Sequence, residues 1–217
     1  MLTGKKPDPL SARVLDVALI LHADHSMNAS AFAATVAAST LADLYSTIVA
    51  AIAALKGPLH GGANEAALKT MLVIGKPENA EAYVLDTLKN HGKVFGFGHR
   101  VYKTWDPRAL ILREYAKQLS ELKGQQELFH ISEVVQDTVV RELQSKHIYP
   151  NVDFYSGLVY HLLGLPTDLF TPTFAVSRIA GWTAHVIEYW EDNRLVRPLD
   201  YYVGPTDAVY VPLDQRP

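Results

Sequence analysis

Apolar residues recur at three- and four-residue intervals along almost the whole of this chain, and no stretch longer than a few residues alternates apolar with polar as a strand would. A chain with only the helical period buries its apolar faces by packing helix on helix, so the expected fold class is all-α. Gly and Pro cut the pattern into segments. Pro9 and Ser11 open a helix running to about His25, with Val14, Leu15, Val17, Ala18 and Leu21 on its buried side. Ala-rich segments from Ala29 to Ala54 are closed by Gly57-Pro58. A helix is expected from near Gly62 to Gly75, and another from Pro77 to Asn90, closed by His91-Gly92. Two charged amphipathic helices, about Pro107 to Lys123 and Gln126 to His147, are separated by Gly124. Shorter ones follow from Val152 to Leu163 and from about Pro172 to Asp192, and the Pro- and Tyr-rich tail from Arg197 should be extended.

Eleven of the 26 residues from Ala29 to Ala54 are alanine. Alanine favours helix but buries little area, so such helices suit places where another backbone comes close, either in the core or across a homodimer two-fold. The middle of the chain carries the charged helical pair and the flanks are richer in small residues. This suggests two lobes, with residues 62–165 inserted between flanks 1–61 and 166–217 and Gly-rich junctions as hinges.

Composition narrows the chemistry. The 217 residues are 48% hydrophobic, enough for a real core. Lys and Arg number 20 against 23 Asp and Glu, a formal net charge of -3, which gives no nucleic-acid or membrane surface. With no cysteine, thiolate nucleophiles and Cys-based zinc sites are excluded. The N-terminal MLTGKKPDP lacks an apolar core of the signal-peptide kind and no apolar run is long enough to span a membrane, so a soluble, cytoplasmic protein is expected.

Three short segments place a His or a carboxylate where Gly and Pro hold the backbone: GPLHGGANEA around His60, FGFGHRVYKTWDPR around His99, and YPNVDFYSG around Asp153. His60 stands ahead of a helix start, where the dipole disfavours imidazolium, and a neutral imidazole N–H aimed at a carbonyl promotes enolisation. The glycines before His99 let backbone approach a ligand, and the adjacent N–H groups suit an anion or an adenine edge, although the third glycine of a dinucleotide fingerprint is missing. Arg100, Lys103 and Arg108 are either a solvated turn or, at the mouth of that loop, ligands for carboxylate or phosphate. Asp153, at the first turn of a helix, is ordinarily a dipole-favoured starter, and only its company makes it a base candidate. His22 and His25 share i, i+3 spacing, but no further ligands stand at matching spacing and no metal site is assigned. His25 is read as a hydrogen-bond donor to an anionic substrate. His91, His130, His147, His161 and His185 have no such context and are read as surface or satisfied core residues. The set as a whole suits proton abstraction beside a carbonyl.

The segments LHADHSMNAS, KGPLHGGANEA, FGFGHRVYKTWDPR, YPNVDFYSG, VSRIAGW and RPLDYYVGP, in this order, resemble the citrate synthase family in its bacterial form. The resemblance covers nearly the whole chain. It implies condensation of acetyl-CoA with oxaloacetate to citrate and CoA by an all-helical, two-domain homodimer, with no permanently bound cofactor and a coenzyme A thioester as co-substrate. The flanks would be part of the large, dimer-forming domain and residues 62–165 the small domain. By motif, His60 resembles the histidine that stabilises the enol, Asp153 the base and His99 the histidine that polarises the ketone. His25, Arg108 and Arg178 match the positions that hold oxaloacetate, and Arg197 matches an arginine supplied by the other subunit. Val94, Phe95, Gly96, Phe97 and Gly98, with Lys103, resemble the coenzyme A cradle.

The chain begins only one helix ahead of His25, where family members usually have a long helical region, so an N-terminally shortened form is expected. Two alternatives accompany this reading. One is 2-methylcitrate synthase, using propanoyl-CoA, since one methylene is worth only about 1–3 kcal/mol of discrimination. The other is a catalytically silent fragment acting as an assembly module.

Overall fold

The computed structural model describes residues 4–216, and among them every regular element is helical. The α-helices are α1 (Pro9–His22), α2 (Ala29–Ser39), α3 (Leu44–Leu55), α4 (Ala63–Ile74), α5 (Pro77–Lys89), α6 (Pro107–Lys123), α7 (Gln126–Glu142), α8 (Val152–Leu162) and α9 (Phe170–Glu191). No helix among the described residues is long and apolar enough to cross a membrane.

Local chemistry sets the boundaries. Asp8 accepts from the Ser11 N–H and hydroxyl at 2.8 Å each, with Pro9 at the first helical position. Asn28, Asp43, Asp106 and Asn151 cap α2, α3, α6 and α8 in the same manner, each accepting a backbone N–H of the first turn. Gly124, at φ +67°, closes α6 in the left-handed conformation.

Three expected boundaries are corrected. Helix α1 stops at His22 rather than near His25, because α9 takes up its terminal carbonyls and the chain turns at Ser26, φ +50°. Helix α7 ends at Glu142, and residues up to His147 form a single 3-10 turn closed by His147 at φ +53°. Helix α9 starts at Phe170, two residues before Pro172, because the first-turn N–H groups have no intrahelical partner and proline loses nothing there.

Two cores form. The larger joins α1, through Val14 and Ala18, to α4–α8 and Phe170. The smaller packs α2 and α3 against α9 around Ala31, Ala34, Ala38, Ala51, Leu55, Phe174, Trp182 and Val186. The alanines are fully buried, which admits the bulky Trp182 among closely spaced backbones. The other side of α2 and α3 leaves Phe32, Tyr45, Val49 and Ile52 exposed. From Asn193 onward the described tail is irregular, with bends at Gly204, Thr206 and Asp207 and one 3-10 turn at Leu213–Gln215, and Leu199, Tyr201 and Val203 are almost wholly exposed.

Candidate active site

A cleft of about 700 Å³ is lined by His25, Asn28, His60, His99, Asn151 and Asp153, together with the loop at Gly98–Tyr102. It gathers residues from the turn after α1, the loop before α4, the glycine-rich loop and the start of α8.

His25 and His99 meet Nε2 to Nε2 at 3.0 Å. The backbone N–H groups of Val101 and Tyr102 both donate to His99 Nδ1, at 3.0 Å each. A nitrogen that accepts two N–H bonds carries no proton, so in the neutral ring the proton sits on Nε2 and donates to His25. Tyr102 stacks on the His99 ring at 4.6 Å. Burial and then the Arg108 charge lower the pKa of both rings, that of His25 to about 4.

His60 Nε2 lies 2.8 Å from Ser30 Oγ, which accepts from Trp182 Nε1 at 3.0 Å and stands 2.7 Å from Asn28 Oδ1. Trp182 can only donate, and Asn28 Oδ1, already bound to two backbone N–H groups, can only accept. With the Ser30 proton on Asn28, His60 carries its proton on Nε2. When the hydroxyl turns to His60, the ring proton moves to Nδ1, the nitrogen left for a ligand. Burial and then the Arg178 charge push the His60 pKa down to about 4.

Asp153 sits at the second position of α8, its N–H held by Asn151 Oδ1 at 3.0 Å. Its Oδ1 is sealed from solvent without a hydrogen-bond partner. Burial lifts its pKa to about 6 against the opposing charge of Arg108. Asp106, itself buried, holds Arg108 in a two-point grip, Nε to Oδ1 at 3.0 Å and Nη2 to Oδ2 at 2.8 Å, and also accepts the Val152 N–H at 3.2 Å. One carboxylate thus places both the arginine and the start of α8. Arg178 is buried on α9, with Nε donating to the His22 carbonyl at 2.7 Å and Nη1 unpartnered. Burial and then the Arg108 charge lower its pKa to about 10, so it stays cationic.

The structure therefore brings His25, His60, His99 and Asp153 to one cleft, with Arg108 and Arg178 close enough to act on them electrostatically. His22 faces elsewhere: it is fully buried, donates Nδ1–H to the Ala18 carbonyl at 2.7 Å and packs on Phe174. Of the glycine-rich loop, only Gly98 lines the cleft directly, while Val94 and Phe97 line a second cavity of about 380 Å³. Phe95 packs against the larger core and is not part of either lining. Gly96 serves packing: a Cβ there would meet Phe154 Cβ at 2.7 Å. Lys103 Nζ donates to the His99 carbonyl at 3.2 Å. Arg197 lies in the exposed tail, bonded to the Pro198 carbonyl, and does not line the cleft of its own chain.

Ser30, Trp182, Asp106 and Asn151 support the cleft and are not among the candidate residues of the sequence. Asp106 and Asn151 have a local signal, each capping a helix that carries a candidate residue. Ser30 and Trp182 have none, because 152 positions separate them.

Residues 1–199 match the family model described as citrate synthase, C-terminal domain. The chain belongs to the citrate synthase family. It is 52% identical over 216 residues to the citrate synthase of Deinococcus radiodurans, covering all of this chain and 57% of that one. A 2-methylcitrate synthase of Shewanella oneidensis is 42% identical, again over the whole chain and 57% of the relative. Among solved structures, the citrate synthase of Thermoplasma acidophilum in ternary complex with carboxymethyl coenzyme A and oxaloacetate superposes with a TM-score of 0.93 at 46% identity, covering 99% of this chain and 57% of that one. The chain thus spans little more than half the length of these citrate synthase relatives.

Proposed function

We propose that this chain carries the condensing site of a citrate synthase, joining acetyl-CoA to oxaloacetate to give citrate and CoA. The observation that supports this most directly is the pairing, in one cleft, of a carboxyl group held near pKa 6 with imidazoles kept neutral at physiological pH. Asp153 takes a proton from the thioester methyl group. The C–H electron pair becomes the carbon–carbon double bond of the enolate, the carbonyl π pair moves onto the thioester oxygen, and that oxygen takes up a hydrogen bond from His60 Nδ1–H, available once Ser30 donates to Nε2. A methyl group beside a thioester is a very weak acid, so the base succeeds only when that oxygen is stabilised as charge develops. The enolate carbon then attacks the ketone carbon of oxaloacetate, whose π pair moves onto its oxygen, where His99 Nε2–H donates a hydrogen bond to the developing charge. Arg108, Arg178 and His25 hold the carboxylates, an orientation effect that spares the reaction a bimolecular encounter. Water finally cleaves the citryl thioester, releasing CoA. The glycine-rich loop and Lys103 form part of the coenzyme cradle.

In this reading residues 62–165, which supply most of the larger core described above, are nevertheless the small domain of the complete enzyme, the flanks being only part of its large domain. His25, His60 and Arg178 come from the flanks and His99, Arg108 and Asp153 from the middle, so oxaloacetate bridges both and draws them together. The active assembly is a homodimer, with Arg197 reaching the partner's cleft.

The test is release of free CoA thiol on mixing oxaloacetate and acetyl-CoA, using this chain and a chimera completed to full length with the remaining segment of the Deinococcus radiodurans relative. Thiol release that requires both substrates is expected. A folded chimera that binds oxaloacetate yet releases none would sink the proposal. Faster turnover with propanoyl-CoA in direct competition would assign the 2-methylcitrate reaction instead.

A further inference from the structure

Arg178, Gly181 and His185 lie on one face of α9 at spacings of three and four, and they grip three consecutive residues, His22, Ala23 and Asp24. Arg178 Nε donates to the His22 carbonyl at 2.7 Å, the Gly181 N–H to the Ala23 carbonyl at 3.1 Å, and His185 Nε2 to Asp24 Oδ1 at 3.0 Å. The first two contacts satisfy carbonyls at the end of α1 that have no intrahelical donor. The third lies beyond the helix and answers no such need.

Asp24 is bound on both sides. Its Oδ2 accepts the Ser26 N–H at 3.1 Å, closing the tight turn in which Ser26 has φ +50°, while Oδ1 is held by His185. His25 is the residue between them. Against burial, which raises it, the Ser26 N–H and His185 hold the Asp24 pKa below the usual carboxylate range. The other charged group facing His185 is Glu188, 4.0 Å from Nδ1 and mostly exposed. Gly181 is required for the approach, since a Cβ there would come within 2.5 Å of the Ala23 carbonyl and 2.7 Å of Asp24 Oδ1. A half-exposed hydrogen bond of this kind adds little to stability, so its consequence is geometric.

We propose that His185 is a positioning residue for the cleft: by holding Asp24 it fixes the turn that carries His25 and, through the 3.0 Å His25–His99 bond, the second histidine as well. The effect on substrate rests on reading the cleft as an oxaloacetate site. The effect on the two imidazoles does not.

The experiment uses the length-completed chimera with three variants: His185→Leu, His185→Gln, whose amide can still donate to Asp24, and His185→Leu combined with Asp24→Ala. Ring resonances of His25 and His99 are followed by NMR without substrate, oxaloacetate affinity by calorimetry, and kcat and KM by thiol release. Leu at 185 is expected to shift both sets of ring resonances and to weaken oxaloacetate binding about tenfold, with kcat at saturation within about threefold, since displacing a ligand group costs chiefly orientation. Gln should restore most of the loss. Asp24→Ala should add little in the Leu background, because the two residues act as one unit. Unchanged resonances and affinity in His185→Leu overturn the proposal. So does a loss that follows a fall in Tm and is not recovered by Gln. If the resonances shift as expected but the parent does not bind oxaloacetate, the positioning role stands and the substrate reading fails.

Discussion

His25 Nε2 and His99 Nε2 lie 3.0 Å apart, so two imidazoles assigned to one ligand are bound to each other. A ketone oxygen that accepts from His99 Nε2–H replaces His25 as its acceptor and leaves the His25 lone pair free. Burial and the charges of Arg108 and Arg178 keep that nitrogen unprotonated, with a pKa of about 4. A bound dicarboxylate offsets the arginine charges and favours protonation of His25, which then donates to a carboxylate. Oxaloacetate binding should therefore consume a proton, and affinity should fall by up to about tenfold per pH unit between about pH 4, the free His25 pKa, and the raised pKa of the complex. Calorimetry in buffers of different ionisation enthalpy measures the uptake. A value of zero throughout the range from about pH 5 to pH 7 would contradict the assignment of His25.

Asp153 makes a stability prediction whose sign is opposite to that of most carboxylates. Its folded pKa is about 6 against an ordinary value of 3.8, so the folded state holds the proton more tightly than the unfolded chain. That contribution is fully present below about pH 4 and is lost as pH rises through 6, where the carboxylate must ionise in its buried place. Asp153→Asn, which has no charge to bury, should therefore be more stable than the parent above pH 6, by on the order of 2 kcal/mol after allowing for partial solvent contact, and equal to it below pH 4. The same change should lower kcat about 10²–10⁴-fold. Urea unfolding at pH 4 and pH 8 checks the first part. A variant less stable at pH 8 than the parent would refute the burial argument.

The helical class and most boundaries are legible because caps are local. Asp106-Pro107 and Gly124 bound α6 in plain sight, and the structure keeps both ends. The overlong reading of α1 has a tertiary cause: Ser177 and Arg178 on α9 take the Leu19 and His22 carbonyls, and nothing near His22 in sequence announces them. The site is legible where chemistry is concentrated in a short segment, as at His60, His99 and Asp153. It is illegible where a side chain acts through a distant one, as Trp182 does through Ser30. The glycine-rich loop divides along the same line. Gly98 is at the cleft, whereas Gly96 is there because α8 passes against it.

That division is measurable. Gly96 and Gly98 have nearly equal φ values, +83° and +80°, so alanine at either is strained by about 1–2 kcal/mol. At Gly98 the nearest atom to a new Cβ, Ile148 Cγ2, is 4.0 Å away, but at Gly96 the Phe154 Cα and Cβ are at 2.8 and 2.7 Å. Overpacking against backbone adds about 1–3 kcal/mol. Gly96→Ala should thus cost roughly twice as much stability as Gly98→Ala, read from urea midpoints. Equal midpoints would mean that α8 moves away freely and that Gly96 is not a packing glycine.

Arg197 is separated from the cleft of its own chain. Its guanidinium bonds the next residue's carbonyl in an exposed, irregular tail. The neighbouring Val196 N–H is anchored to Ser39 Oγ at 3.1 Å, so the tail leaves the body beside the end of α2. The outer face of α2 and α3 carries exposed Phe32, Tyr45, Val49 and Ile52, an apolar surface on which a second copy can pack. If a second copy packs there, as proposed, a tail leaving from that edge can reach the partner. Arg197→Ala and Asp153→Ala chimeras, each inactive alone, should regain activity when mixed, because one of the two sites in a heterodimer then has an intact Asp153 and an intact partner arginine. If half of the chains are in heterodimers and one of the two sites in each is intact, recovery should approach about a quarter of parent activity, as expected for independent sites. Co-purification of differently tagged chains establishes that exchange has occurred. Verified heterodimers that remain as inactive as their parents would assign Arg197 to its own subunit, or to no part in the reaction.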